Sequence, residues 1–121
     1  MVGNAGDYLQ LLESVRRSAA GQPGLLQPKT AQEMVRDQVG PQAQTQGPGW
    51  GFGLGWAVLD DPALAKSPQG KGSLQWGGAY GHNWFVDPER RLSVILLTNT
   101  AFEGMSGRLV NEVRDAVYAS L

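Results

Sequence analysis

The sequence has no cysteine and only one histidine, His82, among its 121 residues. Without cysteine the chain has no disulfide, no thiol nucleophile and no thiolate metal site. One histidine is too few for the usual zinc sites, which combine several nitrogen or sulfur ligands. We therefore predict that the chain uses neither a metal ion nor a cofactor.

An excess of one charge and a long apolar segment are also missing. The formal net charge is −1, from 10 Lys and Arg against 11 Asp and Glu, so electrostatics gives no reason to expect a nucleic-acid partner. Apolar runs such as residues 94–97 are far too short to cross a bilayer, and we expect no membrane partner. No signal peptide is evident at the N-terminus. The compartment stays open, with the cytoplasm as the default expectation.

At this length the chain is one domain or part of one, and residues 1–40 are predicted to be a helical lead-in. Asn4 is a good N-cap for a first helix, and Gly21 is a stop signal. Pro28 suits the first position of a second, shorter helix. Apolar residues with helical spacing mark the inner faces of these helices: Tyr8, Leu11, Leu12, Val15 and Ala19, then Ala31, Met34 and Val35.

Residues 50–99 carry the predicted strands. From Trp50 to Leu59 bulky residues alternate with Gly or Ala, which predicts one strand with a bulky face and a nearly bare face. Residues 60–72 are predicted to form a loop. Further strands are predicted at residues 73–79, 82–86 and 92–98, and a type I turn joins the last two.

A C-terminal helix is predicted over residues 103–120. Its apolar face is marked by residues with helical spacing: Met105, Leu109, Val113, Ala116 and Val117. Consecutive strands with short connections form antiparallel sheets. The predicted fold class is therefore α+β, an antiparallel sheet of about four strands flanked by N- and C-terminal helices.

Residues 75–88, QWGGAYGHNWFVDP, hold the strongest functional signal. Gly77 and Gly78 end one predicted strand, and glycine at that place lets a ligand or a second backbone approach closely. The lone His82 follows. These features are typical of an active-site wall, although paired glycines also suit a bulge or a tight strand end.

Three further stretches, together with this one, resemble the serine β-lactamase-like hydrolases, above all their esterase-like members. Residues 25–34, which begin LLQPKT and end in Met, resemble the family's L-L-S-P-x-T…M helix start. Residues 51–56, GFGLGW, resemble its G-x-G-L-G-W strand, and residues 81–99 resemble its following hairpin. Trp76-Gly77-Gly78 falls where the family carries its third active-site motif, which is Lys-Thr-Gly in lactamases and His-x-Gly or Trp-x-Gly in esterases.

The family's two upstream motifs have no counterpart in this sequence. The family takes its nucleophile from Ser-x-x-Lys and adds Tyr-x-Asn or Tyr-x-Ser. Residues 118–120 spell Tyr-Ala-Ser, but they end the predicted C-terminal helix, and we interpret the match as chance. No serine has a Lys three residues later: Ser14, Ser18, Ser67, Ser73, Ser93, Ser106 and Ser120.

The resemblance implies a wall that binds the substrate and holds the oxyanion. In acyl transfer, backbone N–H groups stabilise the developing oxyanion, and the resemblance gives this role to the N–H of Ala79. It implies that Trp76 replaces the cation of the lactamases, which favours neutral esters over β-lactams. The wall comprises Trp76, Gly77, Gly78, Ala79, Tyr80 and His82.

Some of these residues also have a purely structural interpretation. A lone His that enters a strand is more often a hydrogen-bonded structural residue than a catalytic one, and this applies to His82. Tyr80 either lines the mouth of a pocket or packs. The large aromatic side chains fit a core better than a stacking platform: Trp50, Phe52, Trp56 and Trp84.

Three hypotheses about function remain open. In the first, the chain is the C-terminal segment of a β-lactamase-like esterase. It is inactive alone, and it acts on a small ester or amide only when an N-terminal segment completes it. In the second, it is a non-enzymatic module that self-associates through an exposed sheet edge. In the third, it is a residual esterase that uses another serine.

Overall fold

The computed structural model describes residues 3–121 as one five-stranded antiparallel sheet with helices on both faces. In sheet order, the strands are β1 Trp50–Phe52, β2 Ala57–Leu59, β3 Leu74–Gly77, β4 Asn83–Asp87 and β5 Leu92–Leu96. The helices are α1 Ala5–Ala19, α2 Pro28–Met34, α3 Pro62–Ala65, α4 Glu103–Ser106 and α5 Arg108–Ala119, with a short 3-10 turn at Pro41–Ala43. This is the predicted α+β class, and consecutive strands lie side by side.

The single strand predicted from Trp50 to Leu59 is wrong, because this stretch is the hairpin of β1 and β2. Trp50 pairs with Leu59, and Gly51 pairs with Val58. The turn between the strands contains Gly55 at a φ of +117°, a conformation that glycine adopts readily. Paired residues share a face of the sheet, so Trp50 and Val58 lie on opposite faces. The hairpin also explains why the sheet has five strands instead of about four.

One face of the sheet packs against α1. Val58, Leu74 and Val86 are paired in a row across β2, β3 and β4. They form the larger core cluster together with Trp56, Trp84 and two residues of α1, Leu12 and Val15. The predicted inner face of α1 is only partly buried, because Tyr8 and Leu11 are 38% and 41% exposed.

The two lead-in helices begin where the sequence predicts. The side chain of Asn4 accepts a hydrogen bond of 2.9 Å from the N–H of Asp7 and so caps α1. Pro28 is the first residue of α2. The region predicted as a loop over residues 60–72 contains the short helix α3, which Asp61 caps through the N–H of Leu64.

The other face of the sheet packs against α5, which is shorter than the predicted C-terminal helix. The helix is interrupted at Gly107, because the φ and ψ of this residue, −77° and 159°, are extended. The Glu103 carboxylate occupies the space that a side chain at Gly107 would need and accepts the N–H of Leu109 at 2.7 Å. Met105 therefore lies outside α5 and is 56% exposed, and Ala116 is also exposed, so these two predictions of buried residues are wrong.

Asp87 is the buried end of β4, although the predicted strand ended at residue 86 and a type I turn was predicted to follow. Its side chain has no exposed surface. A buried carboxylate is costly unless hydrogen bonds replace its water, and Asp87 accepts three. The donors are the N–H of Gly70 at 2.9 Å, the N–H of Arg90 at 3.1 Å and the hydroxyl of Tyr118 at 2.5 Å. Asp87 thus joins a loop, a turn and α5 to the central strand.

Asp37 fixes the loop after α2 to the first strand. Its carboxylate accepts hydrogen bonds of 3.0 Å from the N–H groups of Val39, Gly40 and Phe52. These bonds, with that of Val39 the largest contribution, hold the pKa of Asp37 below its usual value. The lowered pKa follows because N–H donors stabilise the charged form.

Replacing Leu59 by Ala should destabilise the chain. Leu59 is fully buried in a second core cluster with Trp50 and Ala57. Truncating a buried Leu typically lowers the free energy of unfolding by about 2–5 kcal/mol, which urea unfolding measures. Leu54→Ala is the control, because Leu54 is 54% exposed and its truncation should cost less than about 0.5 kcal/mol. Equal losses in the two variants would contradict the placement of the hairpin.

Alkaline pH should weaken the bond between Tyr118 and Asp87. Burial, and then the hydrogen bond to Asp87, raise the pKa of Tyr118 well above its usual value. A raised pKa in the folded state contributes stability that is complete below the ordinary tyrosine value of about 10 and is lost as pH rises past it. Wild type should therefore lose more stability than Tyr118→Phe between about pH 8 and pH 11.

Urea midpoints at the two pH values test this expectation for Tyr118. Tyr80→Phe is the matched control, because Tyr80 is 83% exposed. The urea midpoint of this variant should change with pH as that of wild type does. If the urea midpoints of wild type and Tyr118→Phe fall equally between the two pH values, the Tyr118 hydroxyl does not contribute to the pH dependence of stability.

Candidate functional site

Strand β3 has a neighbour along its whole length on one side only. On the inner side β4 pairs with it from Leu74 to Gly77. On the outer side β2 pairs with Leu74 and Gln75 and then ends. Within residues 3–121, no strand therefore lies beside the outer edge of β3 from Trp76 onward. A free strand edge offers backbone N–H and C=O groups to an extended ligand.

The hydrogen bonds of β3 identify which backbone groups face this free edge. The N–H of Gly78 donates to the carbonyl of His82 at 2.9 Å, toward β4. On the other side, the carbonyl of Ser73 accepts the N–H of Leu59 at 2.8 Å. Because alternate residues of a strand direct their backbone groups to opposite sides, the N–H and C=O of Gly77 point to the free edge.

The N–H of Ala79 also points away from the hairpin. The Gly78 carbonyl, which belongs to the same peptide group, accepts the N–H of Gly81 at 3.1 Å inside the turn. In a trans peptide the N–H points opposite to the C=O. Among the described residues, none accepts a hydrogen bond from the Ala79 N–H, so this donor is available to a ligand.

The side chains of the predicted wall occupy distinct positions. The His82 imidazole lies over Gly78, in the space that a β-carbon there would take. Trp76 is 38% exposed and meets the Phe52 ring edge-on at 5.2 Å. Tyr80 is 83% exposed, so it does not pack into the core.

An apolar cavity of about 420 Å³ borders part of this wall. It lies between the start of α1 and the ends of three strands, and its lining includes Tyr8, Trp76, Gly77, His82, Trp84 and Leu97. Three of the six predicted wall residues therefore border one cavity, while Gly78, Ala79 and Tyr80 form the adjacent turn. No serine or lysine within residues 3–121 borders this cavity.

Asn83 also lies beside the wall, and it was not among the predicted site residues. Asn83 is 6% exposed, and its side-chain amide donates to the carbonyl of Gly104 at 2.8 Å. A polar residue next to Trp84 at the start of an apolar strand was the available signal. The partner, Gly104, is buried in α4, and no local pattern in the sequence links the two residues.

No three His, Asp or Glu side chains within residues 3–121 are grouped so that they could hold a metal ion. In the same range no helix has both the length and the apolar character that crossing a membrane requires.

The model of one protein family, described as "Beta-lactamase", matches residues 1–119. The chain belongs to the β-lactamase family. Esterase EstB of Burkholderia gladioli is 58% identical over 119 residues, which cover 98% of this chain and 29% of EstB. The family resemblance predicted from the motifs is therefore confirmed.

Solved structures of related fold agree with this assignment. EstCE1, described as a hydrolase with promiscuous acyltransferase activity, superposes with a TM-score of 0.87 at 59% identity, over 96% of this chain and 30% of EstCE1. Simvastatin synthase LovD of Aspergillus terreus gives a TM-score of 0.72 at 23% identity, over 95% of this chain and 34% of LovD. The second match shows the fold alone. This chain spans less than a third of EstB and of EstCE1.

Proposed function

We propose that this chain supplies the substrate and oxyanion wall of a β-lactamase-fold esterase, and that a preceding segment supplies the nucleophile. The free outer edge of β3, with the unused N–H of Ala79 at its end, is the observation that carries the proposal. The identity of 58% to EstB favours an ester as the substrate.

In the proposed reaction a serine from the completing segment attacks the ester carbonyl. The carbonyl oxygen becomes an oxyanion, and N–H donors that already point at it stabilise the transition state. The N–H of Ala79 is one such donor, and the unpaired edge of β3 at Gly77 lets the carbonyl lie against the strand. Trp76 places an indole where lactamases have a cation, which suits a neutral ester.

The completing segment needs a docking surface, and β5 provides a candidate. The outer edge of β5 has no partner strand within residues 3–121, and its residues from Leu92 to Leu96 are only half-buried. An unpaired edge accepts an additional strand. The same edge supports a second candidate function, in which two copies of this chain pair through β5 as a non-enzymatic module.

The chain alone should not hydrolyse p-nitrophenyl butyrate and should not take up a fluorophosphonate label, because the motif of the nucleophile is missing. A chimera in which residues 1–119 replace the matching part of EstB should hydrolyse the ester, because EstB then supplies the nucleophile. Mass spectrometry detects the label, and light scattering on the isolated chain detects pairing.

Each outcome separates the hypotheses. A stoichiometric adduct on one serine of the isolated chain would establish the residual enzyme and refute the proposed division. A chimera that folds but has no activity would refute the proposal that this chain supplies the substrate and oxyanion wall. A stable dimer of the isolated chain, combined with such an inactive chimera, would favour the self-associating module.

Gly78→Val in the chimera should lower kcat/KM by at least about 100-fold, the usual cost of losing one oxyanion donor. The new side chain must enter the space that the His82 ring occupies, so the turn that orients the Ala79 N–H has to move. Ala63→Val is the control, because Ala63 is exposed on α3 and borders neither the wall nor the cavity beside it. Full activity in Gly78→Val would show that the wall is assigned wrongly.

A further inference from the structure

Residues 98–104 pack backbone against backbone on the turn formed by residues 78–81. A β-carbon at Gly104 would overlap the carbonyl of His82, and a β-carbon at Gly77 would overlap the carbonyl of Gly104. Glycine on both partners permits this approach. Residues 98–104, which include the start of α4, therefore lie directly behind the wall.

Three hydrogen bonds tie this segment to Ala79 of the wall and to the neighbouring residues Gly81 and Asn83. They all end on backbone carbonyls, and two of the three accepting carbonyls belong to the turn itself. The Thr98 hydroxyl donates to Gly81 at 2.6 Å, the Phe102 N–H donates to Ala79 at 2.6 Å, and the Asn83 side-chain amide donates to Gly104 at 2.8 Å.

The backbone of Phe102 adopts an unfavourable conformation where its N–H donates to the carbonyl of Ala79. Its φ is +64°, and a bulky residue in the left-handed region is an outlier. Its side chain is 64% exposed, so burial of the ring does not compensate. Strain of this kind persists where the surroundings impose it, and it is typical of functional sites. Here it places the Phe102 N–H on the carbonyl of Ala79.

Both peptide groups that flank Ala79 are thereby fixed. The group before Ala79 is held through the Gly78 carbonyl and Gly81, whose own carbonyl is bound by Thr98. The group after Ala79 is held through Phe102, whose segment is anchored at Gly104 by Asn83. A donor that stabilises an oxyanion must be oriented before the reaction begins.

We propose that Asn83 and Thr98 are positioning residues that orient the Ala79 N–H through residues 98–104. This inference rests on the proposed function of Ala79, but the coupling itself is a property of the chain alone. Neither residue needs to touch a substrate. Their effect is to hold a donor within the narrow tolerance that catalysis requires.

Two variants, Thr98→Val and Asn83→Asp, test the coupling in the full chain without any activity assay. Thr98→Val keeps the shape and removes the hydroxyl, and Asn83→Asp replaces the donor by an acceptor. Each should shift the amide resonance of Ala79 and lower the hydrogen-exchange protection of the Phe102 N–H by at least about tenfold. Unchanged protection in β4 verifies that the variant folds.

Two further observations distinguish a specific effect on the orientation of the Ala79 N–H from a general loosening of the fold. Asn111→Asp is the matched control, because Asn111 is exposed on α5. This variant should change neither the amide resonance of Ala79 nor the hydrogen-exchange protection of Phe102. Lowering the pH from about 8 to about 5 should restore the protection of Phe102 in Asn83→Asp, because a buried carboxyl has a raised pKa and its protonated form donates again.

Kinetics of the EstB chimera then tests the consequence for the reaction. Thr98→Val should lower kcat by at least about tenfold with little change in KM, the signature of an interaction that matters in the transition state. Normal resonances and protection in both variants would refute the coupling. Reduced protection with an unchanged kcat would refute the positioning role. An inactive parent chimera would refute the proposed function, while the exchange data would still decide the coupling.

Discussion

Strand β4 is buried along its whole length and on both faces, and the rest of the structure is arranged around this constraint. Trp84 and Val86 belong to the core cluster that α1 covers, while Phe85 stacks on Tyr118 of α5. Polar groups survive at such positions only when hydrogen bonds replace their water. The two polar ends of the strand are Asn83 and Asp87, and both form hydrogen bonds with distant parts of the chain.

The two ends of β4 serve different purposes. At one end the Asp87 carboxylate accepts hydrogen bonds from a loop, a turn and α5. At the other end Asn83 anchors a segment that contains glycine contacts and the unfavourable backbone of Phe102. Glycine and positive φ both reduce stability. Phe102 and Gly104 carry this cost beside the candidate site, and the buried core of the sheet has to offset it.

Within residues 3–121, the outer edge of β3 beyond Gln75 and the outer edge of β5 both lack a partner strand, and they suit different partners. The edge of β3 beyond Gln75 is short and lies next to an apolar cavity, so it suits a small extended ligand. The edge of β5 is as long as the strand itself and suits another strand. The chain covers less than a third of EstB and EstCE1. In our proposal it therefore contributes orientation and electrostatic stabilisation to a reaction whose nucleophile comes from elsewhere.

The sequence by itself determined those features whose causes are local. The cap at Asn4, the start of α2 at Pro28 and the positions of β3 to β5 follow from residues that are close in sequence. Tertiary structure decided the rest. An alternation of bulky and small residues fits a strand and a tight hairpin equally well, so the reversal near Gly55 became visible only in the fold. The partners of Asn83 and Asp87 lie 21 and 31 residues away, and no local rule selects partners at that distance. The direction of the Ala79 N–H likewise depends on residues 98–104, because peptide groups in a turn are oriented by what packs against them.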